Sequence, residues 1–211
     1  MALIWIGLAL VALVAAFRLV FYTWLPRWGA TDAELTAKLP GDEGVPGAPL
    51  VHTQAITVAA PAEAVWPWLV QMGDGRGGLY SYDWLENLVG CNMHSVSHIV
   101  PELQNLKLGD MIRISPQGGP SVEAMEANRY LLLSAHMEDA KMQMHQTWVF
   151  SLQPLEGGQT RLITRQRINY GPSNFLGWLM WDLFGERGGL VMSRKMLLGI
   201  RQRAETVVTH L

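Results

Sequence analysis

Apolar positions crowd the first 25 residues and then break into shorter periodic runs separated by glycine and proline. Met1 through Phe17 carries no charge, and the apolar run continues past Arg18 to Leu25, where Pro26 stops it. A helix over Ala2 to Leu25 rises about 36 Å at about 1.5 Å per residue, enough to cross a hydrocarbon core about 30 Å thick. Residues 1–25 therefore read as one transmembrane anchor. A cleaved secretory signal fits less well, because no Lys or Arg precedes the run, the run is long, and no small-x-small cleavage site follows. Arg18 can carry its guanidinium out to the headgroups, and Trp24 and Trp28 suit that interface. Both Arg18 and Arg27 flank the C-terminal side of the span, so the positive-inside bias predicts a single-pass inner-membrane protein with its soluble domain in the cytoplasm.

The next segment begins with a capping box, Thr31 to Glu34, which predicts a short helix. Pro40, Gly41, Gly44, Pro46, Gly47 and Pro49 then crowd ten residues, and 26–49 reads as a juxtamembrane connector. From Leu50 to Leu211 the periods change again. "LVHTQAITV" alternates as a strand does, and "APAEAVWPWLVQM" predicts a helix started by Pro61 and kinked at Pro67, with Val65, Trp66, Leu69 and Val70 as its apolar stripe. A flexible "GDGRGG" loop follows, and Tyr80, Trp84, Leu85 and Leu88 take helical spacing. Five strands are expected in "DMIRIS", "SVEAME", "RYLLLSAH", "QTWVFSLQP" and "QTRLITRQRINY". Trp148, Phe150 and Leu152 share a face of the fourth. The fifth carries Arg161, Ile163, Arg165 and Arg167 on one side and Leu162, Thr164, Gln166 and Ile168 on the other. "NFLGWLMWDLFG" is almost wholly apolar, and the chain closes on a long helix with Met192, Met196, Leu197, Ile200, Ala204 and Val208 on one face.

This is an α+β order, in which a curved antiparallel sheet grips one long helix and leaves a cavity between them. About 160 residues suffice for one such domain with a sizeable core. A single cysteine, Cys91, excludes an intrachain disulfide framework and fits a reducing compartment. With 16 basic and 18 acidic residues, the chain has no general pull toward nucleic acid. Its last quarter is nonetheless basic, with Arg161, Arg165, Arg167, Arg187, Arg194, Lys195, Arg201 and Arg203 against Asp182, Glu186 and Glu205. Such a surface is attracted to an anionic leaflet.

The stretches "ITVAAPAEAVWPWLVQMGDGRGGLYSYDWLENLVGC", "IVPELQNLKLGDMIRIS" and "TRLITRQR", in this order, resemble the START-like superfamily, also called SRPBCC or polyketide cyclase/dehydrase-like. They resemble in particular a bacterial subgroup with an N-terminal membrane segment. The resemblance spans about Leu50 to Leu211 and implies a helix-grip fold with six or seven strands around a pocket for apolar ligands. It does not imply one activity, since members include lipid carriers, receptors, cyclases and aromatases.

The candidate site residues follow from chemistry. Arg76, Tyr80, Tyr82, Asp83 and Trp84 gather beside four glycines where START-like folds open their pocket, and polar-tipped aromatics suit a half-wet rim. Trp148 and Phe150 are expected to line the same pocket. Alternatively, Asp83 caps the second helix, Arg76 pairs with Asp74 or Glu86, and Tyr80 and Trp84 face the core. Arg161, Arg165 and Arg167 could hold a carboxylate or phosphate if they face inward, but the more apolar opposite side of the strand favours solvated arginines. Trp178 and Trp181 are expected at a membrane interface or as pocket filling. Cys91, His94 and His98 have a loose C-x2-H-x3-H spacing, but a tetrahedral site would need the fold to bring in His145 or Glu102 as a fourth ligand, and no metal site is expected. No nucleophile motif, phosphate loop or dinucleotide fingerprint is present, and no cofactor is expected.

Three functional classes remain: a membrane-tethered domain that binds a hydrophobic small molecule or lipid, an accessory subunit of a larger membrane protein complex, and a cyclase- or aromatase-type enzyme. In the last, Tyr80, Tyr82, Asp83 or a histidine would move protons.

Overall fold

The sheet is built by five strands rich in β-branched and aromatic residues: β1 (Leu50–Val58), β2 (Ser121–Glu126), β3 (Tyr130–Glu138), β4 (Met142–Leu155) and β5 (Gln159–Pro172). The computed structural model describes residues 2–138, 142–172 and 181–209. All strand pairs are antiparallel, in the order β1-β5-β4-β3-β2. The first strand thus closes on the last, with Leu50 opposite Ile168 and Val58 opposite Thr160. The longest ladder joins β4 and β5 across the turn at Glu156–Gly158.

Helices complete the layers: α1 (Ala2–Arg18), α2 (Asp32–Thr36), α3 (Ala62–Val70), α4 (Asp83–Leu88) and the C-terminal α5 (Arg187–Thr209). The expected α+β architecture is the one observed, a single antiparallel sheet with a long C-terminal helix and an apolar N-terminal helix. Trp148, Phe150 and Leu152 of β4 and Leu162 of β5 enter one core with Met196, Leu197, Ile200 and Ala204 of α5. Each fully buried large apolar side chain of this kind contributes about 1.5–3 kcal/mol. Gly199 lies where α5 passes Tyr80 so closely that a β-carbon would collide with the Tyr80 carbonyl oxygen.

Four local expectations differ from what forms. "DMIRIS" is extended but makes only an isolated bridge, Met111 to Ser121, and the described residues form five strands rather than six or seven. In α3 Val65, Leu69 and Val70 are buried as expected, but the fully buried tryptophan is Trp68, one turn on from Val65, while Trp66 is half-buried. The second helix is only Asp83–Leu88. Tyr80 sits before it with φ of 58°, whereas Trp84 and Leu88 are 66% and 74% exposed, so the expected core-facing stripe is not formed. The "GDGRGG" loop is a tight turn, with Gly73 bridged to Gly78 and Arg76 Nη2 donating to the Val70 and Leu103 carbonyls.

The arginines of β5 do face outward, but they are covered. Residues 28–47 run across the outer face of the sheet, where Leu39 joins Ala55, Leu132, Val149 and Ile163 in a second apolar cluster. Arg165, 3% exposed, donates to Asp42 (2.7 Å), Thr53 Oγ1 (3.0 Å) and the carbonyls of Glu34, Leu35 and Ala37. Arg161 grips both carboxylate oxygens of Glu34 at 2.7 and 2.9 Å, and Arg167 Nε donates to the Val45 carbonyl at 3.1 Å. Glu34 also completes the expected capping box with Thr31. Buried carbonyls demand donors, and three guanidinium groups in register supply them.

At the other end, one helix long and apolar enough to cross a membrane runs from Trp5 to Arg27, and none of its most apolar stretch is buried. Its last turn is not free: Leu25 is buried, and its carbonyl accepts from Gln54 Nε2 at 2.8 Å.

Two outcomes are expected. Gly199→Ala should destabilise the domain by about 1–3 kcal/mol through overpacking, although alanine favours helices by about 1 kcal/mol, and chemical unfolding reads the sign. The Arg161 guanidinium, opposed by partial burial and helped by Thr31, holds the Glu34 carboxyl below the ordinary glutamate value. Its stabilisation is therefore complete above about pH 4.3 and lost as pH falls through the lower folded value. Amide protection at Leu35 and Ala37 should drop in that acid range, and Glu34→Gln should remove the pH step.

Candidate functional site

The alternation that sends arginines outward turns His52 of β1, Gln146 and Trp148 of β4, and Gln166 and Ile168 of β5 inward. Facing them, Gly189, Met192, Ser193 and Met196 of α5 form the second wall of a partly open cavity of about 250 Å³. Leu79, Ser81, Glu86 and Ile114 also line it, as do Gly185 and Glu186 just before the start of α5. Trp148 Nε1 donates to Thr164 Oγ1 at 2.7 Å, so its polar edge is satisfied by the sheet and its ring is left as apolar wall.

Two buried carboxyl groups interrupt this wall. Glu186 Oε1 lies 3.1 Å from His52 Nε2 and 2.9 Å from Arg187 Nη1. Arg187 continues the chain with Nη2 donating to Asp182 at 2.9 Å, and the Tyr22 hydroxyl donates to the same carboxylate at 2.7 Å. The Arg187 guanidinium also lies 3.8 Å from the Tyr22 ring centroid and donates to the Phe21 carbonyl at 3.3 Å. Ion pairs and hydrogen bonds thus lead from the cavity lining to the end of the apolar helix. Glu86 is different: it is 2% exposed, neither carboxyl oxygen has a hydrogen-bond partner among the described residues, and it lacks the cation that Arg187 gives Glu186. Burial, with a smaller push from Asp83, raises its pKa to about 7. No Lys or Arg appears among the described residues lining the cavity.

Of the ligand residues expected from sequence, Trp148 lines the cavity. Phe150 is wholly buried in the adjoining core, and Arg76 is engaged by backbone carbonyls. The Tyr80 hydroxyl donates to the Trp68 carbonyl at 3.0 Å, and burial pushes its pKa up to about 12. Asp83 accepts from Ser95 N at 2.7 Å and Ser95 Oγ at 2.6 Å, which braces the turn before α4. Tyr82 is half-buried, its ring 6.0 Å from Lys195 Nζ, and Trp84 is exposed. Arg18 lies 5.2 Å from the Tyr22 ring. Trp24 is half-exposed, Trp28 is partly buried against the core, and the Arg194 guanidinium lies 5.9 and 4.7 Å from their rings. Trp178 and the Trp181 side chain lie outside the described residues. His94 and His98 are exposed while Cys91 is buried, its thiol pKa raised mainly by that burial. Among the described residues, no three His, Cys, Asp or Glu side chains gather as metal ligands.

His52, Glu86 and Glu186 were not singled out by the sequence reading. The β1 alternation puts His52 on the face of Gln54, Ile56 and Val58, a signal readable once the inner face is known. Glu86 has no local signal, because a glutamate in a short helix ordinarily faces water.

No family model matches the chain, and no curated protein matches it significantly in sequence. Solved structures with a similar arrangement include a START superfamily protein from Mycobacterium smegmatis, 16% identical with a TM-score of 0.40, covering 72% of this chain and 97% of that one. Protein MLL2253 from Mesorhizobium loti is 18% identical with a TM-score of 0.39, covering 74% and 98%. Protein NE0264 from Nitrosomonas europaea is 14% identical with a TM-score of 0.44, covering 76% and 97%. Likeness at this level assigns neither a family nor a ligand.

Arg187→Met should leave Asp182 and Glu186 buried without their cation and destabilise the protein by about 3–5 kcal/mol, measured by chemical unfolding in detergent micelles. A loss below about 1 kcal/mol would mean that the network is not formed.

Proposed function

We propose that this chain is a START-like domain tethered to the inner membrane by one helix, with the domain on the cytoplasmic side, and that it binds a hydrophobic small molecule without covalent chemistry. The guest class is a lipid, quinone or isoprenoid. One observation carries the reading: a mostly apolar cavity lies between the inner face of the sheet and α5, and its polar end is wired through Arg187 to Tyr22 of the apolar helix. Apolar burial of about 25 cal/mol per Å² supplies the affinity. At about 250 Å³ the cavity is smaller than typical drug-sized sites of about 300–1,000 Å³, so it admits a ring or chain end while the rest of the guest leaves through the open side. Tethering is supported by the Trp5–Arg27 helix, whose most apolar stretch has no protein cover, and by Arg194 near Trp24 at its C-terminal end and Lys195 near Tyr82.

An accessory-subunit reading is favoured by one feature, the exposed Trp84, Leu88 and Val89 of the α4 region. The same experiment separates the two. The full chain, gently solubilised and analysed by native mass spectrometry, should carry an apolar molecule near one per chain, and Met192→Trp, which fills the cavity, should lower that occupancy about tenfold. Wild-type protein with no bound molecule would overturn the binding reading, and a protein partner at fixed stoichiometry would favour the subunit reading.

A further inference from the structure

Glu86 is a buried acid whose surroundings give it nothing to bond. Its two oxygens are unpartnered among the described residues, it lines the cavity, and no Lys or Arg shares that lining. The titratable groups around it are Asp83 on its own helix, Cys91 just beyond it, and His52 and Glu186 in the cavity wall, with the Glu186 charge already met by Arg187. An ionised carboxylate there loses its hydration without gaining a cation, whereas a neutral carboxyl keeps one O–H donor and one carbonyl acceptor. The cavity therefore offers an anionic guest no Lys or Arg of its own among the described lining residues. The outward-facing, engaged arginines of β5 cannot help. A free phosphate or carboxylate end is disfavoured by the same arrangement.

We infer that the cavity selects an uncharged apolar guest ending in a single carbonyl oxygen, which accepts a hydrogen bond from the protonated Glu86 carboxyl. The inference rests on the cavity-binding reading and adds the chemistry of the guest's polar end. Since the bond requires the protonated acid, affinity for such a guest falls as Glu86 ionises, above the value of about 7 that its burial sets.

The test uses four probes of similar shape: 2-ethylnaphthalene, the ketone 2-acetylnaphthalene, 2-naphthoate and the cation 2-(aminomethyl)naphthalene. Each is titrated calorimetrically into the full chain in micelles, with a micelle blank, at pH 6 and pH 8. At pH 6, 2-acetylnaphthalene should bind roughly 3- to 10-fold more tightly than 2-ethylnaphthalene, the worth of one net hydrogen bond, and 2-naphthoate should bind most weakly. The ketone advantage should shrink to less than about twofold at pH 8, because a carboxylate has no proton to donate to a carbonyl. Glu86→Gln, which cannot ionise, should keep the advantage at both pH values, and Glu86→Leu should lose it while still binding 2-ethylnaphthalene. An aminomethyl probe that binds best and tightens from pH 6 to pH 8 would overturn the inference, as would an unchanged ketone preference in Glu86→Leu. Binding of 2-ethylnaphthalene with no ketone advantage leaves the cavity reading standing and sinks this one. If neither neutral probe binds the wild type, both fall.

Discussion

Strand β5 holds the molecule together through the plainest rule of extended chain, that neighbouring side chains point to opposite faces. It lies inside the sheet, paired on both sides, and its two faces do unrelated work. Outward it carries Arg161, Arg165 and Arg167 under the connector, and inward it carries Leu162, Thr164, Gln166 and Ile168 toward core and cavity. A slip of one residue would drive guanidinium groups into the apolar interior and strip the connector of its donors. The ladders to β1 and β4, each continuous in register, oppose that slip.

From this constraint follows the way in which the segment before β1 is attached. The segment between the apolar helix and β1 satisfies its carbonyls on the arginines and buries Leu39 and Val45, so it forms part of the sheet's outer layer. The helix end is held by a different set of contacts, Gln54 to Leu25 and Arg187 to Tyr22 and Phe21. A rigid attachment of this kind keeps the cavity at a set distance and angle from the helix that precedes it. A flexible linker would average both. The buried ion pairs involved are weak evidence for stability, since desolvation offsets much of their attraction, but they are costly to break one partner at a time.

Glu86 and the arginines of β5 show opposite treatments of charge by one fold. Arg165 is nearly as buried as Glu86, yet every direction from it meets an acceptor, so its charge is retained without strain. Glu86 meets none, and its surroundings favour the neutral acid. A buried carboxyl without a cation costs stability, and of the two acids in the cavity wall it is Glu86 that lacks one among the described residues.

Much was legible from the chain alone because it rests on short-range physics. The length and purity of the apolar run, the Thr31–Glu34 capping box, the α+β order, and the shared face of Trp148, Phe150 and Leu152 are set by helix rise, local hydrogen bonds and two-residue alternation, none of which needs a distant partner. What alternation could not decide was which face of β5 is covered by what, since a row of arginines reads the same whether it meets water or the carbonyls of a segment 120 residues away. For the same reason α4 looked core-facing although Trp84 and Leu88 point outward, and Glu86, offered by the sequence only as a partner for Arg76, is buried while Arg76 goes to backbone carbonyls. Local sequence determined the elements and the faces they offer, while only the tertiary structure decided which faces meet, because burial and pairing of a charge depend on groups brought together from far along the chain.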